Sequence, residues 1–68
     1  MKQWYDRLVE LRKDRDLTQS QIAKIINTTQ QYYGQYEKGN HLIPINQLKL
    51  LCEFYKVSAD YILDIRYK

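Results

Sequence analysis

The sequence predicts an all-α domain of five short helices, and three observations support this fold class. Apolar residues recur at intervals of three and four along most of the chain, which is the spacing of one helical face. Residues typical of helix caps and turns separate these stretches, and no stretch shows the alternation of a β-strand. A chain of 68 residues has room for one core, so residues 1–68 are treated as a single domain.

The first helix is predicted from Trp4 to about Asp14. Trp4, Leu8 and Leu11 follow helical spacing, and charged residues occupy the other side of the helix. A polar pair then interrupts the pattern. Leu17 follows it and is placed to pack against the start of the next helix as a hydrophobic staple.

Residues 18–39 predict two further short helices joined by a tight turn. Thr18 and Gln21 have the form of a capping box, so the second helix is expected to begin directly after Thr18. Asn27 tolerates the left-handed conformation that often closes a helix. Thr29 can then accept a hydrogen bond from the first amides of the third helix.

The third helix is predicted to have two unlike faces and to end near Gly39. Tyr33, Tyr36 and Glu37 share the face that is expected to lie inward. The opposite face carries Gln30, Gln31, Gly34 and Gln35. A short helix with glutamines outward and aromatic residues inward is shaped to contact another molecule, and the first candidate is a DNA major groove.

The fourth and fifth helices are predicted in the last third of the chain. Pro44 suits a helix start, and the fourth helix is expected over about 46–55. Its inward residues are Leu48, Leu51, Cys52 and Tyr55. Ser58 is expected to cap the fifth helix, whose apolar side consists of Tyr61, Ile62 and Ile65.

Composition disfavours several functional classes. The lone Cys52 permits neither an intramolecular disulfide nor a zinc site built on cysteines, and we expect no metal and no cofactor. The sequence holds no acid–base pair at convergent spacing and no glycine-rich phosphate loop, so an enzyme is disfavoured. The net charge of +3 is compatible with a polyanion partner but is weak evidence by itself.

Location and ligands are constrained in the same way. There is no signal peptide, and no apolar run approaches the roughly 20 residues that cross a bilayer. We therefore expect a cytoplasmic protein of a bacterial or phage-infected cell with no membrane partner. Nothing follows Lys68 in the sequence, so we expect no sensor domain and no small-molecule ligand.

Short motifs occur along the chain in a fixed order: Leu8-x-x-Leu11-Arg12, Leu17-Thr18-Gln19-x-x-Ile22-Ala23, Thr29, Tyr36-Glu37-x-Gly39 and Pro44. In this order and spacing the chain resembles the Cro/C1-type helix-turn-helix family, the xenobiotic-response-element-like regulators of bacteria and phages. The resemblance implies a five-helix, lambda-repressor-like DNA-binding domain with its helix-turn-helix at about residues 18–39. It also implies a sequence-specific transcriptional regulator, of repressor type, that reads the major groove with its third helix.

The resemblance and the side-chain chemistry together suggest roles for individual residues. Base contacts are expected from Thr29, Gln30, Gln31, Gly34 and Gln35. Phosphate contacts are expected from Gln19, Tyr32, Lys38, Asn40 and His41. Arg12 would pair with Glu37 and tie the first helix to the third. A glutamine carboxamide carries a donor and an acceptor, so it can bond adenine N6 and N7 together, which is worth about 1–3 kcal/mol of discrimination.

Two of these positions have alternatives, and one neighbouring residue departs from the family pattern. Gly34 would let the helix backbone approach the floor of the groove, or it is a tolerated substitution. Tyr32 would contact DNA, or it covers protein surface. Tyr33 stands where the family mostly has aliphatic residues, so the core must accommodate its ring and give its hydroxyl a partner.

The expected partner is double-stranded DNA with a palindromic operator. One domain of this size contacts few base pairs, and two-fold dimers place their recognition helices about 34 Å apart, so a homodimer is expected. Candidate dimer contacts are Ile62, Leu63, Ile65 and Tyr67, some of which would instead close the core. The competing interpretation is a protein-interaction or antitoxin-like module on the same helical scaffold.

Overall fold

The computed structural model describes residues 3–65, and that range contains five α-helices and no strand. The helices are α1 Trp4–Asp14, α2 Gln19–Ile25, α3 Gln30–Glu37, α4 Ile45–Tyr55 and α5 Ala59–Leu63. The predicted all-α class is confirmed, and α4 begins slightly earlier than expected because Pro44 itself is the N-cap. None of the helices in this range combines the length and the apolar character that a bilayer crossing requires.

Side-chain caps fix where three of the helices begin. The hydroxyls of Thr18, Thr29 and Ser58 each accept a hydrogen bond of 3.1 Å from the backbone N–H three residues further along. At Thr18 the box is complete, because its backbone N–H donates to Gln21 Oε1 at 2.8 Å. Each cap satisfies an amide that has no partner within its own helix. The three predicted caps are therefore confirmed.

Left-handed residues close α2 and α3 and set the angle between successive helices. Asn27 has φ 62° after α2, and Gly39 has φ 78° after α3. Both closures have the hydrogen-bond pattern of a Schellman motif. The N–H of Thr28 donates to Ala23 O at 2.9 Å, and the N–H of Asn40 donates to Gln35 O at 3.0 Å. The turn between α2 and α3 is therefore a defined structure that fixes the direction of α3.

The core lies between α3 and the other helices. Its buried apolar side chains are Leu8, Leu11, Ile22, Ala23, Ile26, Tyr33, Tyr36, Leu51, Tyr55 and Ile62. Tyr33 and Tyr36 are completely buried and account for the inward face of α3. Leu48 and Cys52 of α4 are only partly buried and pack against the edge of this cluster.

The prediction for the apolar side of α5 was partly wrong. Ile62 is completely buried, but Tyr61 and Ile65 remain 46% and 43% exposed. The ring of Tyr61 lies under the guanidinium of Arg7, 4.3 Å from its centroid, and the same guanidinium lies 3.5 Å from Asp64 Oδ1. Tyr61 therefore helps to hold α5 to α1 at the surface by a cation–π contact and does not enter the core.

Candidate nucleic-acid interface

The outward face of α3 forms one wall of a shallow groove of about 300 Å³. The groove is lined by Gln19, Gln30, Gln31, Gly34, Gln35 and Lys38. Thr29, the N-cap of α3, is exposed at the start of the same helix. The structure thus brings the residues predicted to contact bases to one surface.

The glutamines on this face differ in how strongly they are held. Gln30 and Gln31 are exposed, and within residues 3–65 their side chains make no hydrogen bond to another residue. Gln35 is half-buried, and its Oε1 accepts a hydrogen bond of 2.8 Å from Asn40 Nδ2. Gln30 and Gln31 can therefore present both halves of the carboxamide to a partner, whereas Gln35 already uses one of them.

Gln19 covers the middle of the groove. Its Nε2 donates to Glu37 Oε1 at 2.9 Å, which draws the carboxamide across α3. A Cβ atom built on Gly34 would lie 3.5 Å from Gln19 Oε1. Gly34 is consequently buried although it belongs to the outward face, and a base would reach it only beside the Gln19 side chain.

An ion pair beneath the groove connects α3 to α1. Arg12 Nε lies 2.8 Å from Glu37 Oε2 and Arg12 Nη2 lies 3.1 Å from Oε1, while Arg12 Nη1 donates to Leu17 O at 2.9 Å. Burial by itself would raise the pKa of Glu37, but Arg12, the nearby hydroxyl of Tyr33 and the hydrogen bond from Gln19 together outweigh it and lower that pKa. Glu37 is therefore a carboxylate at neutral pH and accepts hydrogen bonds from Arg12 and Gln19.

Two tyrosines form the buried inward face of α3, and their hydroxyls differ in environment. Tyr36 Oη donates to Gln47 Oε1 at 2.6 Å and so connects α3 to α4. Tyr33 Oη is buried and completes no hydrogen bond with residues 3–65, although it lies near enough to favour the Glu37 carboxylate. Burial raises the pKa of Tyr33 far above its ordinary value, and it raises the pKa of Tyr55 to about 12. The core thus accommodates the unexpected Tyr33 ring without giving its hydroxyl a protein partner.

Tyr32 lies in the first turn of α3 and Gln19 begins α2, whereas the other residues predicted beside the DNA backbone lie at and after the end of α3. Lys38, Asn40 and His41 are exposed there, and Tyr32 is 48% exposed. The rings of Tyr32 and His41 are stacked, with centroids 5.3 Å apart and an interplanar angle of 20°. The stack connects the first turn of α3 to the loop that follows the helix.

Sequence reasoning missed two features of this region. Leu42 and Ile45 are 83% and 84% exposed, although an apolar run next to a predicted helix suggests core residues. Gln47 accepts a hydrogen bond from the buried Tyr36, a contact that the sequence does not indicate. No local signal distinguishes either feature, because both depend on the path of the loop between α3 and α4.

The candidate dimer contacts are dispersed by the structure. Ile62 is completely buried, so of the two roles considered for this set it has the one that closes the core. Leu63 is partly buried and Ile65 is exposed. Tyr67 lies outside the described residues.

Two capped helices joined by a left-handed turn, the second of which turns amide side chains outward over a buried aromatic layer, define a helix-turn-helix domain. The model of the helix-turn-helix family matches residues 8–62. The chain belongs to this family, in its Cro/C1-type branch.

Similar proteins agree with this assignment. The chain is 41% identical over 59 residues to an uncharacterized HTH-type transcriptional regulator, YobD, of Bacillus subtilis (strain 168), and the match covers 87% of this chain and 53% of YobD. The fold is shared with the crystal structure of a transcriptional regulator from Listeria innocua, with a TM-score of 0.92 at 24% identity. That likeness covers 97% of this chain and 62% of the Listeria chain. The chain thus spans between half and two thirds of the length of these proteins.

Proposed function

We propose that this domain binds double-stranded DNA as a sequence-specific transcriptional regulator and inserts α3 into the major groove. The observation that carries the proposal is the state of Gln30 and Gln31. Both are exposed, and neither side chain is bonded to another residue within residues 3–65. The helix that carries them is anchored from below by Tyr33, Tyr36 and Glu37, so these carboxamides stand on a rigid support.

The chemistry of the face suits base readout. Each unbonded carboxamide can donate to adenine N7 and accept from adenine N6, or donate to the acceptors of guanine. Lys38 is the one charged residue among those that line the groove, which supports its proposed role as a phosphate contact. Neutral hydrogen-bonding groups therefore make up most of this surface, which favours discrimination between bases over general attraction to the DNA backbone.

A homodimer on a palindromic operator extends the proposal. One recognition helix reads only a few base pairs, and a two-fold dimer doubles the readout with helices about 34 Å apart. Leu63, the last residue of α5, and Ile65, two residues after it, remain as candidate contacts. Such a dimer would exclude other proteins from its DNA site, so we propose repression as the regulatory outcome. We also propose that the protein acts in the cytoplasm.

The direct test is the selection of bound sequences from a random pool of DNA duplexes. The proposal expects a short conserved half-site, repeated in inverted orientation about one helical turn away. Recovery of unrelated sequences at every cycle would contradict sequence-specific binding. A single half-site without its inverted copy would contradict the dimer but not the DNA-binding role.

A second candidate function is a protein-interaction or antitoxin-like module, and the exposed pair Leu42 and Ile45 favours it. Large aliphatic side chains that are this accessible often belong to protein contacts. Salt separates the two candidates. A DNA complex loses affinity with rising salt, with a log–log slope set by its phosphate contacts, whereas a partner held by aliphatic contacts is insensitive to salt or bound more tightly.

A further inference from the structure

Asn40 donates two hydrogen bonds to Gln35, one from its backbone and one from its side chain. Its backbone N–H donates to Gln35 O at 3.0 Å, and its side-chain Nδ2 donates to Gln35 Oε1 at 2.8 Å. Among the three outward glutamines of α3, only Gln35 has its carboxamide held by another residue of the described range. This contrast requires an explanation, because an exposed hydrogen bond between two side chains adds little to stability.

The position of Asn40 is set by the backbone and not by its side chain. Gly39, with φ 78°, closes α3 in a Schellman motif, in which Gly39 N donates to Tyr36 O at 3.0 Å. A Cβ atom on Gly39 would lie 2.4 Å from the ring of Tyr5, so α1 packs directly on this closure. The backbone of Asn40 is therefore held in place by contacts within the protein.

We propose that Asn40 is a positioning residue that determines which base Gln35 selects. Because Gln35 Oε1 is directed at Asn40 Nδ2, the amino group is the half of the Gln35 carboxamide that is left to face the groove. An N–H donor matches the O6 and N7 acceptors of guanine or the O4 of thymine. On adenine it reaches N7 alone, because the second bond, to the N6 amino group, requires an acceptor. Gln35 thus selects a base-pair acceptor, whereas Gln30 and Gln31 remain able to bond adenine.

This inference rests on the proposed DNA-binding function and goes further, because it assigns a base preference to one position of the half-site. The position is identified first, as the base pair whose preference is lost in Gln35→Ala. The wild-type protein is expected to prefer guanine or thymine at the contacted base there. Preference for adenine or cytosine at that base would overturn the proposal, since both offer an amino group that an outward Gln35 oxygen would accept.

Two variants of Asn40 test the mechanism in the same selection experiment. Asn40→Ala frees the Gln35 oxygen, so the preference at this one base pair should fall by about 3- to 10-fold and adenine should become acceptable. Asn40→Asp offers only acceptors, so it should turn the Gln35 amino group inward and shift the preference toward adenine or cytosine. The new negative charge should also weaken binding to all sequences, which a random duplex measures separately.

The matched control is Asn46→Ala, which removes the same amide from an exposed position on α4. It should leave every base preference unchanged. Melting temperatures of all three variants should stay within about 4 °C of wild type, because exposed side chains are changed. An unchanged preference in Asn40→Ala, with the half-site still selected, would overturn the role of Asn40 alone. Failure to select any half-site with the wild-type protein would instead overturn the proposed function.

Discussion

Arg12 of α1 and Glu37 of α3 form a two-pronged ion pair, with N–O distances of 2.8 and 3.1 Å and exposed side-chain fractions of 14% and 5%. Glu37 also accepts from Gln19, whose carboxamide covers the outward face of α3. The pair therefore connects the first helix, the start of the second and the end of the third. It is the polar link between the core and the candidate DNA surface.

Removal of one partner from this pair should be strongly destabilising. Arg12→Met or Glu37→Gln should lower the free energy of unfolding by about 3–5 kcal/mol, because the remaining group stays desolvated without its counter-charge. Urea unfolding measures the change. The double variant Arg12→Met/Glu37→Met should recover part of the loss. A double variant whose loss equals the sum of the two single losses would show that the groups do not interact.

Acid should weaken the fold through Glu37. Its pKa is lowered in the folded protein below the ordinary value of 4.5. A lowered folded pKa contributes stability that is fully present above the unfolded pKa and is lost as pH falls through the folded pKa. Unfolding free energies measured from pH 7 to pH 3 should fall more steeply for wild type than for Glu37→Gln. Parallel pH profiles would contradict this origin of the acid sensitivity.

The hydroxyls of the two supporting tyrosines should differ in their contribution. Tyr36→Phe breaks a 2.6 Å bond to Gln47 Oε1 and should cost about 0.5–1.5 kcal/mol of unfolding free energy. Tyr33→Phe removes a buried hydroxyl that completes no hydrogen bond with residues 3–65 and only lies near the Glu37 carboxylate, so it should cost less stability than Tyr36→Phe. Thermal unfolding of both variants makes the comparison. A larger loss for Tyr33→Phe than for Tyr36→Phe would contradict it.

The two glycines should respond to alanine in opposite directions. At Gly34 a Cβ atom meets Gln19 Oε1 at an ordinary 3.5 Å, so Gly34→Ala should raise the unfolding free energy by about 0.5–1 kcal/mol. At Gly39 the φ of 78° and three Tyr5 ring atoms within 2.8 Å of the added Cβ make Gly39→Ala destabilising by about 2–4 kcal/mol. Denaturant unfolding measures both changes.

The Gly34→Ala variant also tests a hypothesis about DNA binding. If the missing side chain at Gly34 lets the backbone of α3 approach the groove floor, Gly34→Ala should weaken binding to the selected site although it stabilises the fold. Unchanged affinity and base preference would remove that hypothesis.

Tyr5→Ala combined with Gly39→Ala separates the steric part of the Gly39 effect on stability from the backbone part.

The fold could be predicted from the sequence where the signals are local. The caps at Thr18, Thr29 and Ser58 and the closure at Gly39 act within a few residues, and each lies where the sequence indicates. Helical spacing likewise placed the inward face of α3. At Thr18 the capping box is enough to predict where α2 begins, because it involves no tertiary contact.

Features that depend on contacts between distant residues could not be predicted in this way. Ile62 fits a dimer contact and a core position equally well until the packing of α1 on α5 is known. Tyr61 has the right spacing for the core, but Arg7 keeps it at the surface. The bond from Gln19 to Glu37 requires the crossing angle of α2 and α3, which no periodicity specifies.

The central claim is that Gln30 and Gln31 read bases. Its most direct measurement is the ratio of affinities for the selected duplex and a random duplex, determined for wild type, Gln30→Ala, Gln31→Ala and Lys38→Ala at one salt concentration. Each glutamine variant should lose about 1–3 kcal/mol on the selected duplex and almost nothing on the random one, whereas Lys38→Ala should weaken both alike. Equal losses on both duplexes for the glutamine variants would contradict the claim.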